Sequence, residues 1–238
     1  MHQSTERIDS CSKLSETLHE KSVFIFDWDG TIFDSMKIKT QNFKDAVCAV
    51  FPAQKNMQNA VVKTYQKFSG HPREYIFKKI LEILGKDHNP ESYIKFNNIF
   101  GGLNQISLVR AKPFPDAIEL IEKLIEARHQ IYISSSVPPD ELSMLVSRVL
   151  PGDIRKGISA ILGSAGDFVK GAAHIQSILE KTGLEPSAML VIGDDMADYE
   201  LTVAVGVDCI LVDRSGRLSR RGVSVVSDLK QIREGLVK

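Results

Sequence analysis

Val23-Phe24-Ile25-Phe26-Asp27-Trp28-Asp29-Gly30-Thr31 decides the reading of this chain. The first four residues are an unbroken apolar run, the pattern of a strand buried on both faces of a parallel sheet. Two carboxylates follow where that strand ends and the chain turns. In an open α/β sheet, chemistry collects in the crevice beyond the carboxyl ends of the strands. Asp27 and Asp29 are two apart, so extended backbone aims both to one side. Like charges that close repel unless a cation lies between them or one keeps a proton. The pair therefore reads as a metal site, as a nucleophile beside an acid, or as a polar turn marked by Asp-Gly.

Outward from this stretch, strand and helix signals alternate. Strands are expected at 22–27, 130–134, 158–162, 188–192 and 208–212, with an edge strand at 223–226. Helices are expected at 116–127, 140–150, 171–182, 197–205 and 228–236. Such alternation implies an α/β fold, a Rossmann-like doubly wound parallel sheet. Residues 35–110 break the alternation. Phe43, Val47 and Val50, then Val61, Tyr65 and Phe68, then Phe77, Ile80, Leu81 and Leu84 follow helical spacing. Gly101-Gly102 reads as a helix break or end. The expected organisation is a loosely held tail at 1–20, where Leu14 and Leu18, four apart, also fit a short helix, a catalytic core from 21–34 and 111–238, and an inserted small all-helical cap at 35–110 whose connections act as hinges.

The 238 residues are 43% hydrophobic and 25% charged, an ordinary globular balance. Thirty basic and thirty acidic residues leave no net charge, which argues against nucleic acid or an anionic membrane as partner. No apolar run reaches membrane-spanning length, and Met1 to Lys21 lacks the apolar segment of a signal peptide. Cys11, Cys48 and Cys209 fit no zinc spacing and read as free thiols, so a cytoplasmic location is expected.

Polar groups end four of the expected strands or open the helices after them: Asp27 and Asp29, Ser134, Lys170, and Gly193-Asp194-Asp195-Met196-Ala197-Asp198. Carboxylates suit a hard cation such as Mg²⁺, and a hydroxyl with an ammonium suits phosphate oxygens. Asp195 and Asp198 also read as first-turn helix acids, and Ser134 as a helix cap. Lys170 at a helix start opposes the helix dipole, which favours a function for it.

On these motifs the chain resembles the haloacid dehalogenase superfamily, in its phosphatase-like branch with a helical cap. The resemblance runs from Val23 to about Asp213. It rests on Asp27 to Thr31, on Ser134, on Lys170 before a helix, and on Gly193, Asp194 and Asp198. Lys170-Gly171 departs from the family's frequent Lys-Pro and leaves Lys156 and Lys181 as weaker candidates for that position. The resemblance implies Asp27 as nucleophile and Asp29 as acid–base. It implies Mg²⁺ held by Asp27, Asp194 and the Asp29 carbonyl, with Asp198 in support. Ser134 and Lys170 would bind the phosphoryl group. An acid at 29 implies phosphoester rather than halide chemistry. Ser69-Gly70-His71-Pro72-Arg73-Glu74 resembles the cap loop that selects substrate, with His71 and Arg73 as candidates. The implied activity is hydrolysis of a small phosphorylated metabolite, a sugar phosphate or phosphoglycolate. The alternatives are a sugar phosphomutase of the β-phosphoglucomutase type and a catalytically silent binding module.

Overall fold

The computed structural model describes residues 11–52, 55–216, 218 and 222–236. These fall into two compact units: residues up to Phe33 together with Pro113 onward, and Asp34–Lys112.

In the first unit, β1 (Val23–Phe26), β2 (Gln130–Ser134), β3 (Ala160–Leu162), β4 (Met189–Gly193), β5 (Asp208–Val212) and β6 (Ser224–Val226) form one sheet in the order β3-β2-β1-β4-β5-β6. Every pairing is parallel. Helices α1 (Cys11–His19), α6 (Pro115–Glu126), α7 (Pro139–Val149), α8 (Gly152–Gly157), α9 (Ala172–Thr182), α10 (Met196–Val203) and α11 (Lys230–Gly235) accompany it. The arrangement is the Rossmann-like α/β fold expected from the alternation.

β1 lies at the centre, with Phe24 in register with Ile131 on one side and Leu190 on the other. All four of its residues are buried, which is why its sequence is continuously apolar rather than alternating. Val23 and Ile25 share a core with Tyr132, Val191 and Leu211, closed by Ile175 and Ile178 of α9. The chain runs from β1 out to β3, then returns to the other side of β1 for β4. The topological switch therefore lies between β1 and β4, where α/β sheets open their binding crevice. Asp27 and Asp194 sit at those two strand ends.

Over its described part the tail is not loose, and it carries the short helix that the spacing of Leu14 and Leu18 suggests. Cys11–His19 is a helix that packs on α11, with Leu14 and Leu18 buried and Ser15 Oγ donating to the Gly235 carbonyl at 2.8 Å. An isolated helix of this length is marginal in water. Two buried leucines, worth about 1.5–3 kcal/mol each, hold it instead. Residues 1–10 lie outside the described residues.

The second unit is helical: α2 (Met36–Val50), α3 (Lys55–Phe68), α4 (Arg73–Leu84) and α5 (Pro90–Ser107), ending in a short 3₁₀ turn at Leu108–Arg110. Its core is aromatic. The Phe96 ring stacks on Phe77 at 4.7 Å and on Phe100 at 5.7 Å, and meets Phe43 edge-on at 5.0 Å. The break expected at Gly101-Gly102 does not occur, and α5 continues through both. Mid-helix glycine costs only about 0.5–1 kcal/mol relative to alanine. Buried Phe100 before the pair, and Asn104 after it bonded to Asn42 Nδ2 at 2.8 Å, outweigh that cost.

Among the described residues no helix is long and apolar enough to cross a membrane. Cys48 and Cys209 are free thiols.

Candidate active site

Asp27 is the first residue past β1, and its N–H prolongs the ladder to Ile192 O at 2.8 Å. The chain then turns sharply. The N–H groups of Ile32 and Phe33 both reach Trp28 O, and Gly30 N–H reaches Phe33 O at 2.9 Å. Gly30 has φ +86°, and a Cβ there would stand 2.0 Å from Asp194 Oδ2. Both backbone conformation and close approach thus require glycine.

At the end of β4, Asp195 is the N-cap of α10. Its carboxylate accepts the Ala197 N–H at 3.0 Å, and the Asp198 carboxylate accepts the Asp195 N–H at 3.3 Å. This capping box accounts for Asp195 structurally. It uses Asp198 Oδ2 only. Asp198 Oδ1 lies 2.6 Å from Lys170 Nζ. A Cβ on Gly193 would strike Asp198 Oδ2 at 2.2 Å, so this carboxylate lies against the strand end itself.

Lys170 is placed by the loop after β3. Ser164 Oγ donates to Ser135 O at 2.8 Å and accepts the Lys170 N–H at 2.9 Å. Ala165 and Phe168 exchange backbone hydrogen bonds that close the intervening turn. Gly171 then adopts φ +109°, which proline cannot reach. The departure from Lys-Pro is a different backbone route, and it ends with Lys170 Nζ 2.5 Å from Asp27 Oδ1. Lys181 instead lies near Ser159 O and over the Tyr132 ring.

Asp27, Ser134, Lys170 and Asp198 line one small cavity. Carboxylate oxygens of Asp27, Asp194 and Asp198 lie within 4.8 Å of one another. Three converging carboxylates share a single buried ammonium, so negative charge is in excess. Burial raises Asp27 to about 7; Lys170 opposes the rise while Asp198 and Asp29 add to it. Burial, then Asp27 and Asp198, push Asp194 well above the usual carboxylate range. Burial lowers the pKa of Lys170, but Asp198 and Asp27 outweigh it and hold the ammonium charged. Oxygen donors with surplus negative charge fit a hard divalent cation.

The carboxylate of Asp29 is not among the three that converge, although it lies close enough to disfavour ionisation of Asp27. His71 and Arg73 belong to the second unit. There the His71 ring lies tilted 4.7 Å from that of Tyr75, and Arg73 donates to Asn97 Oδ1 at 2.8 Å and covers the Phe100 ring. Two residues of the site escape a reading of sequence. Ser164 anchors the lysine loop, and no local pattern marks it. His174 is fully buried one turn beyond Lys170, 2.9 Å from Ser134 Oγ. A polar residue on the inward face of α9 is the only trace it leaves.

A family model described as haloacid dehalogenase-like hydrolase matches residues 24–212. No curated protein matches the chain. Among solved structures, a predicted phosphoglycolate phosphatase from Haemophilus somnus aligns with a TM-score of 0.72 at 17% identity, over 90% of this chain and 97% of that one. A hydrolase from Pseudomonas syringae aligns at 0.75 and 19% identity, over 91% and 98%. CbbY from Rhodobacter sphaeroides, in complex with phosphate, aligns at 0.71 and 13% identity, over 92% and 100%.

Proposed function

The chain belongs to the haloacid dehalogenase-like hydrolase family, and from that premise we propose a Mg²⁺-dependent phosphatase of small phosphorylated metabolites that works through an aspartyl-phosphate. The observation that carries this reading is the buried contact of Lys170 Nζ with Asp27 Oδ1 at 2.5 Å, at the switch point of the sheet.

Asp27 is the nucleophile. Its carboxylate oxygen bonds to phosphorus as the bond from phosphorus to the leaving oxygen breaks. Asp29 gives its proton to that oxygen. It then takes a proton from water, which attacks phosphorus, breaks the acyl-phosphate and frees Asp27 and inorganic phosphate. Lys170 keeps Asp27 charged enough to attack and, with Ser134, holds phosphoryl oxygens. Asp27, Asp194 and the Asp29 carbonyl would hold the Mg²⁺, with Asp198 in support; bound there, the ion offsets charge between carboxylate and phosphate. Asp198 Oδ1 also holds Lys170 Nζ, at 2.6 Å. The rest is positioning and electrostatics, as phosphoryl transfer demands.

The structurally similar predicted phosphoglycolate phosphatase and phosphate-bound CbbY support a small phosphorylated substrate. A sugar phosphate or phosphoglycolate is the proposed class. His71 and Arg73 are proposed to select it from the helical unit, so Arg73→Ala should raise KM for the preferred metabolite more than it lowers kcat.

The test is a screen of phosphorylated metabolites for phosphate release, with and without Mg²⁺, beside Asp27→Asn. Metal-dependent release that Asp27→Asn abolishes is expected. Full activity in Asp27→Asn would sink the covalent route. Sugar-phosphate isomerisation sustained by a bisphosphate would replace hydrolysis with mutase chemistry.

A further inference from the structure

The hydrogen bond between Ser134 and His174 has a direction that the rest of the ring decides. His174 Nδ1 lies 2.9 Å from Ser134 Oγ, and Nε2 lies 3.2 Å from the Gly163 carbonyl oxygen. A carbonyl only accepts, so Nε2 carries a hydrogen. That carbonyl is held in place. A Cβ on Gly163 would come within 2.6–2.8 Å of Pro139 and Val137 backbone atoms, and the Ser164 N–H is bonded to Val137 O at 2.9 Å.

A hydrogen on Nδ1 as well would make the ring a cation. The ring is fully buried and lies 4.5 Å from that of Phe168. The charged group bearing on it is the Lys170 ammonium; Gly163 and Phe168 offer backbone groups, which do not titrate. Burial and then Lys170 push the imidazole down to about 4, against backbone bonds to Gly163 and Phe168. Nδ1 is therefore a lone pair, and the Ser134 proton points to it. A hydroxyl has one hydrogen and two lone pairs. Toward the cavity it shares with Asp27, Lys170 and Asp198, Ser134 offers lone pairs only.

We propose that His174 is a positioning residue that makes Ser134 an acceptor toward the phosphoryl group, so that the site prefers the monoanion, bound through its P–OH, to the dianion. This rests on the phosphatase reading above. An unprotonated phosphoryl oxygen would meet Ser134 lone pair to lone pair, whereas a P–OH donates to it. The second ionisation of a phosphate ester falls near pH 6, so both forms occur around neutrality. Lys170 supplies a donor for the remaining oxygens.

The test uses the full chain in Mg²⁺ buffer with inorganic phosphate as probe. Nitrogen NMR of ¹⁵N-histidine-labelled protein reads the ring, and the signal displaced by Ser134→Ala identifies His174. A neutral ring with hydrogen on Nε2 is expected, unchanged when phosphate binds between pH 6 and 8. Phosphate affinity is then compared in wild type and Ser134→Ala at both ends of that range. Asp27, Asp198 and Lys170 line the same cavity and are present in both proteins, so the difference isolates Ser134. Loss of one hydrogen bond should weaken Ser134→Ala about fivefold at pH 6 and little at pH 8, and Ser134→Thr should restore the split. A protonated ring, hydrogen on Nδ1, or equal weakening at both pH values overturns the proposal while leaving the phosphatase reading intact. No phosphate binding by wild type at either pH overturns that reading, and the acceptor assignment with it.

Discussion

Lys170 and Asp27 form an ion pair buried from solvent, with Nζ 2.5 Å from Oδ1, and the same ammonium lies 2.6 Å from Asp198 Oδ1. One cation thus lies between the proposed nucleophile and an acid of the α10 capping box. Lys170→Met should lower kcat/KM by about 10²–10³-fold, the usual loss when one preorganised transition-state donor goes. Steady-state kinetics on the preferred monoester checks this. Lys170→Arg should not rescue it, since a planar fork cannot occupy the place of a compact ammonium.

Asp29→Asn should separate proton transfer from attack. With an alkyl phosphate, whose leaving oxygen needs a proton, kcat/KM should fall about 10²–10⁴-fold. With an aryl phosphate the first step should fall far less. Equal losses on both substrates, in pre-steady-state bursts, would remove Asp29 from the acid role.

Stability of the cation-free protein should decline as pH rises. The folded-state pKa of Asp27 is raised from 3.8 to about 7, chiefly by burial. Below pH 3.8 both folded and unfolded chains hold that proton and nothing is lost. Between about pH 4 and 7 only the folded chain holds it, so stability drains away as pH climbs through that window. At ~1.4 kcal/mol per unit the effect is a few kcal/mol at most. Divalent cation should reverse it, so Mg²⁺ should raise Tm more at pH 8 than at pH 5. Asp27→Asn should melt no lower than wild type at pH 8 without cation.

Gly171→Pro, which restores the family's frequent dipeptide, should abolish activity rather than preserve it. The φ of +109° is closed to proline, so the turn that delivers Lys170 would have to be rebuilt. Gly171→Ala meets Leu201 side-chain atoms at 3.0–3.3 Å and the same unfavourable φ. A milder loss of activity and Tm is expected there, read by kinetics and thermal melting.

Much of the fold was legible because local physics and tertiary environment agree. Val23–Phe26 is apolar throughout because neighbouring strands and covering helices bury both faces, and its shortness and lack of alternation reveal that. Local signals failed where packing overruled them. Gly101-Gly102 carries a break signal, yet the buried residues flanking it keep α5 intact. At Leu14 and Leu18 the helical spacing is present, but the segment is too short to fold alone and packing on α11 holds it.

By itself, the sequence determined the parallel sheet, the family, and the residue types available at each strand end, since these rest on periodicity and short-range motifs. Tertiary structure decided what those residues do to one another. Whether Lys170 reaches Asp27 depends on Ser164 tying two distant loops together. Asp198 splits its oxygens between a helix cap and a lysine because β4 ends against it. The Ser134 proton points to His174 because the Gly163 carbonyl, eleven residues away in the chain, claims the ring's other nitrogen. Charges and hydrogen-bond directions depend on distances across the fold, and no stretch of chain encodes those alone.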